Sequence, residues 1–140
     1  MSQPSFSDPA WFVDSGVTNH ITSNVKNLSL HAPYNGNDKV SIGNGKQLSM
    51  SNVGLGHLST QTTPVSTISL PNVLHVPTMK KNLISVSQLT RDHDLIDEFN
   101  SSSCLIKDKS TGEVLLKGCL KDGLYQLSST LDSAVSSTSA

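Results

Sequence analysis

Trp11-Phe12-Val13-Asp14-Ser15-Gly16-Val17-Thr18-Asn19-His20 is the stretch on which the fold turns. Three apolar residues in a row fit a strand buried on both faces, and the Asp-Ser-Gly that follows is a turn signal that ends it. Asp14 is the only one of the eleven acidic residues that follows such a strand and precedes a hydroxyl residue and glycine. Asp122-Gly123 lacks the hydroxyl, and Asp132-Ser133 runs on to Ala134. An ordinary strand-to-turn exit has the same three letters, so the meaning of Asp14 depends on what surrounds it.

Outward from this stretch the punctuation is that of a β protein. Val40-Ser41-Ile42 and Gln47-Leu48-Ser49-Met50 alternate apolar with polar and flank Gly43-Asn44-Gly45-Lys46, a strong hairpin signal. Further strands are expected at Gly56 to Thr60, Val65 to Leu70, Asn72 to Val76 and Asn82 to Ile84. Cys104 to Ile106 and Val114 to Leu116 flank the polar turn Asp108-Lys109-Ser110-Thr111-Gly112 and form a second hairpin. A turn at Thr111-Gly112 would set Cys104 opposite Cys119, and a longer turn would offset them. Gly123 to Leu127 reads as a last strand. One helix is expected, at Ser85-Val86-Ser87-Gln88-Leu89, where Ser85 and Gln88 have capping-box spacing and Val86 and Leu89 point inward.

The chain has 140 residues, a formal charge of −1 and 15 % charged residues. That is one domain, long enough to bury a core without a metal or disulfide framework. The charged fraction is below the roughly 25 % of ordinary soluble domains, with Ser, Thr and Asn making up the difference, which suits strands and turns. Ten basic residues are scattered among the acids with Lys80-Lys81 the only basic pair, so a nucleic-acid surface is not expected. No apolar run approaches the roughly 18 residues of a membrane span and no signal pattern opens the chain, so a soluble intracellular protein with reduced thiols is expected. Residues 1–9 read as a flexible N-terminal arm, 10–127 as the folded domain and 128–140, rich in Ser, Thr and Ala, as a disordered linker. The five histidines stand far apart and no Cys-x-x-Cys occurs, so neither a metal site nor a cofactor is expected.

An apolar strand ending in Asp-Ser-Gly, a glycine-bearing hairpin, then an apolar strand with a short helix is the layout of half an aspartic protease. The segments Trp11 to His20, Asn72-Val73-Leu74-His75-Val76-Pro77, Asn82 to Leu89 and Gly123 to Leu127 resemble the protease region of copia-type LTR retrotransposon Gag-Pol polyproteins. The resemblance covers Ala10 to Leu127. It implies a mainly β, retropepsin-like acid-protease half, with closed, barrel-like antiparallel sheets and one short helix, working as a two-fold homodimer. It also implies an aspartic endopeptidase that cuts its own Gag-Pol polyprotein, in the cytoplasm within virus-like particles, with no direct contact to nucleic acid or membrane.

The chemistry asks for the same assembly. Hydrolysis by water activation needs one carboxylate to accept a proton while another donates one, and two carboxyls about 3 Å apart share a proton and divide these roles. One chain offers only Asp14, so the second catalytic Asp14 must come from a second copy. Ser15 and Gly16 would support the loop, Ser15 by bonding across the axis and Gly16 by letting backbone approach closely. Val17 and Thr18 on the floor, with Ile42, Gly43, Asn44 and Gly45 on the hairpin, are the candidate substrate-binding residues. The hairpin would act as a flap. His20 reads as a loop-fixing hydrogen bonder because it lies beyond the turn.

Val17 stands where the family usually has Ala, which adds bulk to the cleft floor. Asn19 replaces a frequent Asp, and Ser85 replaces the glycine of retroviral proteases. Few residues precede Asp14, too few for the N-terminal hairpin of the retroviral enzymes, so the portion from Phe99 to Leu127 is expected to supply the missing sheet and part of the dimer interface. The alternative is a catalytically inactive β-barrel module, a peptide binder or spacer of a degenerate or domesticated retroelement.

Overall fold

In the computed structural model, which describes residues 10–36, 38–42 and 45–128, the stretch Trp11–Asp14 forms strand β1 at the middle of a ten-stranded sheet. The chain continues through β2 (Ile21–Thr22), a 3-10 turn at Val25–Asn27 and β3 (Leu28–Pro33). A separate hairpin of β4 (Lys39–Ser41) and β5 (Gln47–Ser49) follows, then β6 (Asn52–Ser59), β7 (Thr67–His75), β8 (Asn82–Ser85) and helix α1 (Val86–Asp92). The last four strands are β9 (Leu95–Phe99), β10 (Ser103–Asp108), β11 (Val114–Lys121) and β12 (Leu124–Leu127). The sheet order is β3-β6-β7-β2-β8-β1-β12-β11-β10-β9.

The apolar run at Trp11 to Val13 is explained by its position. β1 lies parallel to β8 with Asp14 opposite Ser85, and antiparallel to β12 on its other side. Side chains alternate across a strand, so Val13 and Ile84 enter one apolar cluster while Phe12 and Leu83 enter the other. Central strands covered on both faces carry continuous apolar residues, and Phe12, Val13 and all four residues of β8 are buried. β12 lies directly against β1, so the portion from Phe99 to Leu127 contributes to the same sheet as β1.

The sheet is mixed and open, which corrects the expected closed antiparallel barrel. β1 with β8 and β2 with β7 are parallel pairs, and among the described residues β3 and β9 have a neighbour on one side only. Both edges are built against closure. β3 exposes five of its six residues and ends in Pro33, which has no N–H to offer, while β9 carries Asp97 and Glu98.

Other expectations shift in register or extent. The two strands anticipated at Val65 to Leu70 and Asn72 to Val76 are one, β7, running through Pro71 with Asn72 at a φ of 60° beside a register shift at Gly54 and Gly56. Asn tolerates that left-handed conformation, and the bulge lets the ladder continue. The tight approach of β3 there requires glycine, since a Cβ on Gly54 would collide with the Leu30 carbonyl oxygen. In the second hairpin the turn is the longer one. Asp108 accepts from the Ser110 and Thr111 amides, and Gly112 takes a φ of 76°. Cys104 therefore faces Gly118 and Cys119 faces Ser103, and both thiols are free. β2, β3 and β9 carried no sequence signal that set them apart. The arm at 1–9 and the linker at 128–140 lie outside the described residues, apart from Ser128.

Asp97 faces inward from the β9 edge, opposite buried Ile106, and among the described residues neither carboxylate oxygen has a hydrogen-bond partner. Burial pushes its carboxyl up to about 6 from the ordinary 3.8. Between those values the unfolded chain has released the proton that the folded chain still holds, so stability falls as pH rises from about 4 to 6. Replacing Asp97 with Asn removes this slope. We expect urea denaturation at pH 7 to show Asp97→Asn more stable by about 1 kcal/mol, a figure reduced for the partial exposure of the group.

Candidate functional site

β1 delivers Asp14 to the end of the sheet and the chain turns at once. The Gly16 amide donates to Asp14 Oδ1 at 2.7 Å, and a Cβ at Gly16 would come within 3.2 Å of that oxygen. Asp14 is half-buried, Ser15, Gly16 and Thr18 are exposed, and Val17 is buried.

What holds this loop is a polar network between it and the start of α1. Ser85 is the N-cap of the helix, and its hydroxyl accepts from the Gln88 amide at 3.1 Å while donating to the Val17 carbonyl at 2.9 Å. The other half of the anticipated capping box does not form. Gln88 turns away from the Ser85 amide and bridges two other segments, accepting from the His20 amide at 3.1 Å and donating to the Pro71 carbonyl at 2.7 Å. The Ser85 amide donates instead to His20 Nδ1 at 3.0 Å. His20 is completely buried, so the role of loop-fixing hydrogen bonder fits. Accepting at Nδ1 places its proton on Nε2. Burial holds its imidazole down at about 4, against an ordinary 6.5.

The β4–β5 hairpin lies across the loop and leaves a cleft of about 740 Å³ between them. It is lined by Gly16 to Asn19 from the loop, by Val40, Ile42 and Gly45 from the hairpin, and by Ile21, Val53 and Leu74. Of the candidate binding residues, Val17, Thr18, Ile42 and Gly45 are thus brought together, while Gly43 and Asn44 lie outside the described residues. Asp14 and Ser15 adjoin the cleft through Gly16 without lining it. Val17 shares an apolar cluster with Phe12, Ile21 and Val40, so its extra bulk also packs between floor and hairpin. Tyr34 also lines the cleft, and its hydroxyl accepts from the Asp38 amide at 3.2 Å just before the hairpin. Sequence reasoning missed Tyr34, Val53 and Leu74, because nothing local marks a residue as lining a cleft closed by distant strands. Among the described residues no three His, Cys, Asp or Glu side chains gather as a metal site, and no helix is long and apolar enough to cross a membrane.

A mainly β domain with a two-stranded hairpin over an Asp-Ser-Gly loop is the class of protein defined so far. Residues 11–95 match the family described as Pol polyprotein, beta-barrel domain, and the chain belongs to that family. It is 44 % identical over 121 residues to the retrovirus-related Pol polyprotein from transposon RE1 of Arabidopsis thaliana, and 41 % over 126 residues to that from transposon RE2 of the same plant. These alignments cover 86 % and 90 % of the chain and 8 % of each relative, so the chain spans a small part of their length. No solved structure matches. The resemblance to copia-type retrotransposon polyproteins holds at the level of Pol polyprotein, and the family description specifies a β-barrel domain without an activity.

Ser85→Ala would strip the cap and leave the buried Val17 carbonyl and Gln88 amide without partners. An N-cap loss and an unmet buried group each cost about 1–2 kcal/mol. We expect a destabilisation of about 2 kcal/mol by urea denaturation, against less than about 0.5 kcal/mol for Ser101→Ala at an exposed position.

Proposed function

We propose that this domain is the aspartic endopeptidase of a copia-type retrotransposon and that it cuts the Pol polyprotein from which it comes. The observation that carries this is the Asp14 loop. A carboxylate at the end of a doubly buried strand, held by the Gly16 amide, stands beside a cleft roofed by a hairpin. One protomer supplies one such carboxylate. Two copies related by a two-fold axis would bring two Asp14 side chains together, with the exposed Ser15 hydroxyls free to bond across it.

In that dimer the paired carboxyls share a proton. The ionised Asp14 takes a proton from the attacking water, and the protonated one donates to the scissile carbonyl oxygen. The substrate is an extended segment of polypeptide that adds to the hairpin as a strand and sets alternate side chains against Val17 and Ile42. The hairpin excludes water as it closes. The proposed setting is the cytoplasm, within virus-like particles.

The second reading is a non-catalytic peptide-binding module, and one observation favours it: the Asp14 side chain does not line the cleft of the protomer. The variant Asp14→Asn separates the two. In a longer polyprotein precursor that contains this chain, Asp14→Asn should lower self-processing by at least about 100-fold while the melting temperature stays within a few degrees. Processing that continues undiminished would contradict the protease. Sedimentation should show a dimer at high concentration, and a strict monomer would leave each site with one carboxylate.

A further inference from the structure

We infer that His20 is a positioning residue whose neutral imidazole latches the Asp14 loop to the start of α1, and that its protonation in acid releases the loop. The consequence for activity rests on the protease proposed above, whereas the latch itself does not.

The latch closes a ring of four bonds between two segments distant in sequence. His20 Nδ1 accepts from the Ser85 amide, Ser85 Oγ donates to the Val17 carbonyl, the Gln88 amide donates to Ser85 Oγ, and Gln88 Oε1 accepts from the His20 amide. Only the first depends on a protonation state. An imidazolium carries a proton on both nitrogens, so Nδ1–H would face the Ser85 N–H, donor against donor, and the bond would be lost. Protonation would also place a positive charge in a buried site that offers it no counter-partner. Nε2 offers no relief, because among the described residues it is buried without a partner.

The surrounding charges set where this happens. Burial is the largest influence and lowers the imidazole to about 4; Asp92 on α1 opposes it, while Arg91 on α1 and His93 just beyond act with it. β8 carries no titratable side chain, and β7 ends in His75, also held below its ordinary value by burial. Asp14 lies at the other end of the loop. Above about pH 5 the latch is therefore neutral and closed, and it opens as pH falls through about 4.

Asn at position 20 keeps an acceptor near the place of Nδ1 and cannot titrate there, which separates the protonation from the packing. The test follows the His20 imidazole and the Ser85 amide by NMR from pH 3 to 7.5, in the natural chain and in His20→Asn. It also follows cleavage of oxidised insulin B chain as a generic peptide. We expect the His20 and Ser85 signals to share one midpoint near 4, and the Ser85 titration to vanish in His20→Asn. Turnover of the natural chain at pH 3.5 should fall about fourfold through this step, a fall absent from His20→Asn. An imidazole that titrates near its ordinary value, or a Ser85 amide that ignores it or titrates equally in both chains, would overturn the latch. If His20→Asn does not fold, the shared midpoint in the natural chain alone decides. If the natural chain cuts nothing at any pH, the protease proposal fails while the NMR titration still decides the latch.

Discussion

The pairing of β1 with β8, parallel and with Asp14 opposite Ser85, is the constraint on which the rest of the domain depends. It buries β1 on both faces, and so requires the apolar run that precedes the acid. It also brings the end of β1 and the beginning of α1 to the same level, which lets the loop after Asp14 be bonded to the helix cap. A slip of one residue would exchange the two faces of β1, sending Phe12 and Val13 each into the wrong cluster. The position of Asp14 is therefore set by core packing rather than by the loop.

The network above that pairing gives the serine at position 85 a structural reason. Ser85 occupies a buried position where a glycine would leave the Val17 carbonyl and the Gln88 amide without partners. Gln88 is nearly inaccessible, and its amide joins the loop to β7 at Pro71. Buried polar groups of this kind are stable only when each finds a partner, and satisfying them fixes a single arrangement. The loop thus has one buried anchor that titrates, His20, and several that do not.

Much of this was legible in the residues, for reasons that differ by element. The β4–β5 hairpin announced itself because alternation and an Asn-Gly pair are local signals, and the Ser85 cap did so through its spacing to Gln88. The direction in which Gln88 points was not legible, since its partners His20 and Pro71 lie 68 and 17 residues away. The merging of two expected strands into β7 was hidden for a similar reason. Pro71 and Asn72 read as a break, yet the bulge opposite them in β6 absorbs the irregularity. The openness of the sheet depends on what β3 and β9 do at opposite ends, and β9 gave no periodic signal. Val17 could be recognised as an added bulk at the floor, but its packing with Val40 required the hairpin to be in place.

A domain with one suitable carboxylate can do the proposed chemistry only if two copies contribute one each. Mixing the natural chain with Asp14→Asn at fixed total concentration, after unfolding and refolding together so that subunits exchange, tests that claim most directly. If both carboxylates are needed, activity follows the square of the natural fraction, so an equal mixture retains about one quarter of the unmixed activity. Activity that falls only in proportion, to about one half, would mean that each chain works alone and would contradict the shared site.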